Sequence, residues 1–503
     1  MKRNRNILLV VVAAVLWLSS CVKELSMSGA EQEARSLAAW MRLNKPDLVG
    51  NYQENGGYYV EVLAWGDEDI PAEGNDFGSE PLMEQDTCWV FTDMTGYSLD
   101  GNVCLTRTPL LAEMNGTFSY NTHYVPYVNY CGNVNLGLLE GSYLSMRNTL
   151  TLGADYLAKK WPDRTGDFKM RRGSKVRLYM PSTIAYGETG SSVQGGYEGE
   201  YSLDANTPMI MDIEVKRAVK NPSDLELEMV ERYVANISDW RKVQTDDEVE
   251  EGEEPKYHTG LYLNHYYNPR TANLDACRYY MPHIDVGMNN CYKDSKKYLD
   301  MRSVEEKIKE VFLKRFPNAI SPSEMTEDRL VTKENTAKVW YVCRFLDGFI
   351  LDTNIDELRE YCFDDSSRES VAFSYRAKDD DNKNDNERTA IGAWYYCIPK
   401  LYFGQYAAIV TTSGYAYGVA GISGSTTTST SGGNSMADYY AYMNYYNYYN
   451  YYYYGYGNYY NYYDYNSYNY GYSEETVETT TIDTEILPYT PLVFYLYVEP
   501  QEE

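Results

Sequence analysis

Residues able to make or break bonds are sparse in this chain, and their spacing suits few kinds of catalysis. The four histidines, His123, His258, His265 and His283, show no metal-ligand spacing, so polar or structural roles are the better reading. Cys88, Cys104, Cys131, Cys277, Cys291, Cys343, Cys362 and Cys397 form no C-x-x-C pair, which argues against a zinc ribbon or a dithiol redox motif. Their scatter reveals no disulfide pairing, and small buried hydrophobes remain an equal reading. Residues 379–387 (DDDNKNDNE) offer carboxylates to a cation. They lack the glycine and the ligand pattern of a calcium loop, and a solvated loop is the better reading. No nucleophile elbow, phosphate loop or dinucleotide fingerprint is present. No metal or cofactor is expected.

Charge narrows the partners. The chain has 73 acidic against 45 basic residues, a formal net charge of −28, which would repel nucleic acid and anionic lipid. Its first residues carry a different signal: Lys2, Arg3 and Arg5, an apolar run over 7–18, then Leu18-Ser19-Ser20-Cys21. That run is too short to span a bilayer, so residues 1–20 read as a signal peptide. Small residues before a cysteine resemble a bacterial lipobox, in which Cys21 is lipidated and becomes the first mature residue. No later apolar run is long enough to span, so the lipid on Cys21 is the expected membrane anchor. The expected location is the envelope of a Gram-negative bacterium, at the outer membrane.

The elements are organised by an internal repeat. Gly57-Tyr58-Tyr59-Val60 returns as Gly260-Leu261-Tyr262-Leu263, and Leu99-Asp100-Gly101 returns as Leu346-Asp347-Gly348 with an Asp-Gly hairpin signal. Phe118-Ser119-Tyr120 pairs with Phe373-Ser374-Tyr375. Residues 173–187 (GSKVRLYMPSTIAYG) align without a gap to 404–418 (GQYAAIVTTSGYAYG). Thr207-Pro208-Met209-Ile210-Met211 matches Thr490-Pro491-Leu492-Val493-Phe494, each opening an alternating strand. The predicted organisation is a signal peptide over 1–20, a tether and helix over 21–49, a first domain over 50–220, a helix and acidic linker over 221–255, and a second domain over 256–503. Ser223 with Glu226, and Ser303 with Glu306, have capping-box spacing at two predicted helices. Val304, Ile308, Val311 and Phe312 would form one apolar face of the second. A Tyr/Asn/Gly-rich insertion over 424–472 lacks the aliphatic residues of a core and reads as a disordered loop or an adhesive surface.

The repeat unit resembles the FKBP-type peptidyl-prolyl cis-trans isomerase domain over most of 50–217 and 256–499. The shared features are the glycine-led alternating strand, Ala-Tyr-Gly, and a last strand of the Leu-Val-Phe type. The resemblance implies an α+β fold of two FKBP-like domains, each a curved antiparallel sheet around a short helix, with a long low-complexity loop in the second. It places the family's pocket on Tyr341, Leu351-Asp352, Phe373, Ile391, Trp394, Tyr417 and Phe494. Trp394 would be the indole floor, while the Ile391 N–H and the Tyr417 hydroxyl would hold substrate carbonyls. In the first half Met94, Cys104-Leu105 and Met211 replace three of these features, Tyr186 survives and Phe118 stands for the bulge phenylalanine. Trp161 sits in no matching context, and no indole is placed. The first half is therefore expected to keep the fold and lose catalysis. The implied partners are proline-containing polypeptides or unfolded exported proteins. The rival expectation is a non-catalytic binding or scaffold lipoprotein of the same fold.

Overall fold

The computed structural model describes residues 28–501 apart from 120, 137, 188–189, 191–202, 236–238, 246–253, 272–300, 364, 385–386, 420 and 423–483. The signal segment with Cys21, most of the acidic linker and the Tyr-rich insertion lie outside the described residues. No helix among the described residues is long and apolar enough to cross a membrane.

Two antiparallel sheets are accompanied by helices. The first contains β1 (Tyr52–Gln53), β2 (Tyr58–Trp65), β3 (Trp89–Ser98), β4 (Val103–Thr106), β5 (Tyr127–Cys131), β6 (Asn135–Leu136), β7 (Ser174–Met180) and β8 (Met209–Val219). The second contains β9 (Arg241–Gln244), β10 (Tyr257–Asn264), β11 (Ala337–Phe345), β12 (Ile350–Thr353), β13 (Phe373–Tyr375), β14 (Tyr406–Thr411) and β15 (Leu492–Val498). The helices are α1 (Gly29–Asn44), α2 (Pro109–Asn115), α3 (Glu140–Arg147), α4 (Ala154–Lys160), α5 (Pro222–Ala235), α6 (Met301–Arg315), α7 (Asp356–Phe363) and α8 (Gly392–Cys397).

The strand order β2-β7-β8-β3 of the first sheet is the order β10-β14-β15-β11 of the second, and β4 and β12 each pair with the strand before them. The registers coincide as well. Val60 faces Leu178 as Leu263 faces Ile409. Leu178 faces Met211 as Ile409 faces Phe494. Met94 faces Ile213 as Tyr341 faces Leu496. Leu105 faces Gly96 as Asp352 faces Cys343. A one-residue slip would turn every buried side chain outward, so these shared registers carry the repeat into three dimensions.

One sequence landmark is corrected. Tyr127 faces Thr92 as Phe373 faces Val339, and these two partners lie two residues before Met94 and Tyr341. The counterpart of Phe373 is therefore Tyr127. Phe118 lies in the loop before β5, stacked on Tyr124 at 5.4 Å. An aromatic-Ser-Tyr triplet is too short to set a register against a ladder of backbone hydrogen bonds.

The helix before each sheet belongs to the core that follows it. α1 buries Leu37 and Met41 in the first core, while α5 buries Leu225, Met229, Val230 and Tyr233 in the second. The expected apolar face of α6 is buried, with Val304, Ile308, Val311 and Phe312 all inside, each contributing about 1.5–3 kcal/mol. The capping box expected of Ser223 and Glu226 is not the one used. α5 begins at Pro222, Asn221 Oδ1 accepts the Ser223 N–H at 3.0 Å, and Glu226 is buried. The side chain of Ser303, expected to cap α6, lies outside the described residues.

The two repeats also touch. His123 Nε2 lies 2.7 Å from Asp347 Oδ2, Arg107 pairs with Glu485, and Trp89 meets Tyr489 edge-on at 5.0 Å.

Candidate functional site

The site forms where α8 is laid across the second sheet. Six residues (GAWYYC) are too few for an independent helix, so α8 depends on packing, and Ala393, Trp394 and Cys397 are buried. Ile391 is its N-cap, and the Ile391 carbonyl accepts the Trp394 N–H at 2.9 Å.

Three of the expected aromatic residues surround the Trp394 indole. Its ring lies 5.2 Å from Tyr341 at 81°, 5.2 Å from Phe373 at 80° and 5.9 Å from Phe494 at 77°. Edge-to-face contacts of this kind place ring edges against a π face, adding about 0.5–1.5 kcal/mol each to the area buried. The residues come from four elements: β11 supplies Tyr341, β13 Phe373, α8 Trp394 and β15 Phe494. Little of the cluster reaches solvent, since Trp394 and Tyr341 are each only 5 % exposed.

The polar side of the site is a relay of buried groups. The Tyr341 hydroxyl donates to Asp352 Oδ2 at 2.6 Å, and Arg359 Nη1 lies 3.5 Å from Asp352 Oδ1. Burial raises the Asp352 carboxyl above its ordinary value, against the opposing pull of the Tyr341 hydroxyl and Arg359. Burial and the Asp352 charge push the Tyr341 phenol well up, so it remains a donor. Tyr417 is half-buried, and its phenol is raised by burial first and then by Cys343 and Asp352. The structure thus brings Tyr341, Asp352, Phe373, Trp394, Tyr417 and Phe494 together, with Ile391 at the head of the helix that bears the indole.

Two residues escaped the sequence reading. Arg359 reaches Asp352 from α7, and Asp365 holds it from the other side at 2.5 Å. Asp380, in the acidic run, is fully buried. It accepts from the Tyr375 hydroxyl at 3.0 Å and from the Thr389 and Ala390 N–H groups at 2.9 and 3.3 Å. That carboxylate therefore joins the strand bearing Phe373 to the segment leading into Ile391. An acidic run gives no local sign of which carboxylate turns inward.

The first repeat has different contents at the same positions. α3 and α8 start after Leu139 and Ile391, so their third residues are Ser142 and Trp394. The indole is replaced by a fully buried serine whose hydroxyl has no hydrogen-bond partner. Trp161 lies elsewhere, against Trp65 at 5.7 Å. Met94, Leu105 and Met211 stand at the registers of Tyr341, Asp352 and Phe494. Tyr127 is covered by the Arg107 guanidinium, 4.2 Å from its ring centre.

No described protein family matches this sequence, and no curated protein does. Among solved structures, the chain is similar to the three FKBP domains of wheat FKBP73, at 10% identity over 89% of this chain and 95% of that one, with a TM-score of 0.19. It is also similar to a peptidyl-prolyl cis-trans isomerase from Pseudomonas syringae, at 19% identity over 38% of this chain and 94% of that one, with a TM-score of 0.22. FkpA from Escherichia coli matches at 15% identity over 42% of this chain and 70% of that one, with a TM-score of 0.21. Superpositions this loose carry no argument of their own. The strand registers and the ring geometry carry it.

Proposed function

We propose that the chain is an FKBP-type peptidyl-prolyl cis-trans isomerase that assists the folding of exported proteins, with its active site in the second repeat. The carrying observation is the Trp394 indole enclosed by Tyr341, Phe373 and Phe494. An X–Pro amide rotates over a barrier of roughly 20 kcal/mol because resonance holds it planar. Twisting removes that resonance and makes the amide less polar, so a dry aromatic wall favours the twisted form over the planar one. The Ile391 N–H and Tyr417 hydroxyl would hold the carbonyls flanking the rotating bond. No bond is broken, in keeping with a site built from rings and buried donors. The first repeat, with Ser142 in place of the indole of Trp394, would serve binding, and lipid on Cys21 would tether the protein to the membrane.

The test is the exchange rate of a short X–Pro peptide with the full chain, followed by magnetisation transfer. Catalysed exchange is expected, and it should vanish in Trp394→Ala. The rival reading is a non-catalytic binding lipoprotein of the same fold. Saturable peptide binding with no acceleration would establish that rival. For the anchor, Cys21→Ser should move the protein from the membrane to the soluble fraction, and unchanged membrane association would refute the lipidation.

A further inference from the structure

The same carboxylate device occurs twice, once in each repeat, linking the leading helix to the turn that carries the Ala-Tyr-Gly tyrosine. In the first repeat Glu33 of α1 accepts the Ser182 N–H at 2.5 Å and the Ser182 hydroxyl at 2.6 Å. In the second, Glu226 of α5 accepts the Ser413 N–H and, at 2.8 Å, the Ser413 hydroxyl. Each serine carbonyl then receives two N–H groups from its own turn. Ser182 takes Ala185 at 2.9 Å and Gly187 at 2.8 Å, and Ser413 takes Ala416 at 2.9 Å and Gly418 at 2.8 Å. The residues between are Tyr186 and Tyr417.

All four partners are nearly sealed from solvent: Glu33 is 8 % exposed, and Glu226, Ser182 and Ser413 are 2 % each. A carboxylate is costly to bury unless its hydrogen bonds are made, so each pair holds only with the turn in place. The second turn also lies against the indole helix, where a Cβ added to Gly392 would come within 3.5 Å of the Tyr415 backbone. The turn is therefore held between α5 and α8.

We propose that Glu226 is a positioning residue of the second site: through Ser413 it fixes the turn that presents Tyr417 beside Asp352 and Tyr341. This rests on the isomerase reading for its consequence, but its geometry is testable without it. Glu33 is the internal control, since it holds an equivalent turn in the repeat whose matching position carries Ser142 in place of the indole.

The experiment uses the full chain as wild type, Glu226→Ala, Glu226→Gln, Glu33→Ala, Tyr417→Phe and the Glu226→Ala/Tyr417→Phe double variant. Amide exchange at Ala416 and Gly418 should accelerate about tenfold or more in Glu226→Ala, as expected when both hydrogen bonds to Ser413 are lost. It should stay near wild type in Glu226→Gln, whose amide keeps an acceptor for the Ser413 N–H. Affinity for a short X–Pro peptide and kcat/KM for its isomerisation should fall about tenfold in Glu226→Ala, through KM with kcat little changed, since a carbonyl-holding hydroxyl acts on bound substrate and transition state alike. Glu33→Ala should leave both unchanged. In the Tyr417→Phe background, Glu226→Ala should cost little further affinity. Fully additive losses, or unchanged exchange at Ala416 and Gly418, would overturn the proposal. A wild-type chain that binds the peptide without turnover would overturn the isomerase reading alone, because exchange and the affinity cycle still report on Glu226.

Discussion

The two repeats share strand order, register and the carboxylate that holds the tyrosine turn, yet differ at nearly every residue of the candidate site. Tyr341, Asp352, Phe494 and Trp394 of the second correspond to Met94, Leu105, Met211 and Ser142 of the first. The backbone needs only apolar side chains at these registers, and Met or Leu meets that need as well as Tyr or Phe. The differences concentrate where a ring face or a buried acid has use beyond packing. On the proposed reading, function resides in a small set of substitutions on a common frame. The first repeat uses the same surface differently: Arg107 covers Tyr127 and pairs with Glu485 from the second repeat.

The largest expected difference is at the indole. Trp394→Ala should eliminate X–Pro exchange and lower unfolding free energy by about 3–5 kcal/mol, read by urea titration. Ser142→Ala removes a hydroxyl without a partner and should change neither rate nor stability by more than about 1 kcal/mol. Equal loss of rate at both positions would break the comparison.

Next in size is the response of Glu226 to pH. Burial raises its carboxyl to about 7. The folded state thus holds more protons than the unfolded one between the ordinary carboxyl range and about 7. Its contribution to stability is full at low pH, declines as pH rises through that window, and is flat beyond it. Glutamine stays neutral throughout. The stability of Glu226→Gln relative to wild type should therefore rise between pH 5 and pH 8, by on the order of 2 kcal/mol, read from paired Tm values. A pH-independent difference would mean that Glu226 is ionised in the fold at all these pH values.

A smaller effect belongs to the buried pair. Tyr341→Phe leaves Asp352 short of a donor and should cost about 1–3 kcal/mol with reduced peptide turnover. Met94→Leu at the matching register is volume-conserving and should cost under about 1.5 kcal/mol, with no effect on turnover. The smallest change is expected on removing 425–472. The segment between Gly418 and Thr490 is far longer than its counterpart between Gly187 and Thr207. Deletion should leave far-UV circular dichroism and short-peptide turnover within about twofold, while affinity for an unfolded client falls. Loss of the folded second repeat would show that the segment is part of its core.

Local chemistry alone determined much of this protein. Alternation and glycine-led strands defined the repeat, and the ungapped match of 173–187 to 404–418 identified β7 and β14 as counterparts in the two sheets. The family resemblance of 390–394 implied that Trp394 joins the ring cluster, which the structure forms. The apolar face of α6 was equally plain, because a helical stripe is written within four turns of chain. Tertiary structure decided the rest. Tyr127 replaced Phe118 as the counterpart of Phe373, because a hydrogen-bond ladder, not a triplet of side chains, fixes a short edge strand. Ser142 became the counterpart of Trp394 only once both helix starts were placed. Glu226 looked like a helix cap, since Ser223 stands three residues before it, but its partner is Ser413, 187 residues away. A buried carboxylate takes whichever donors the folded chain brings to it, and at that separation no local pattern names them.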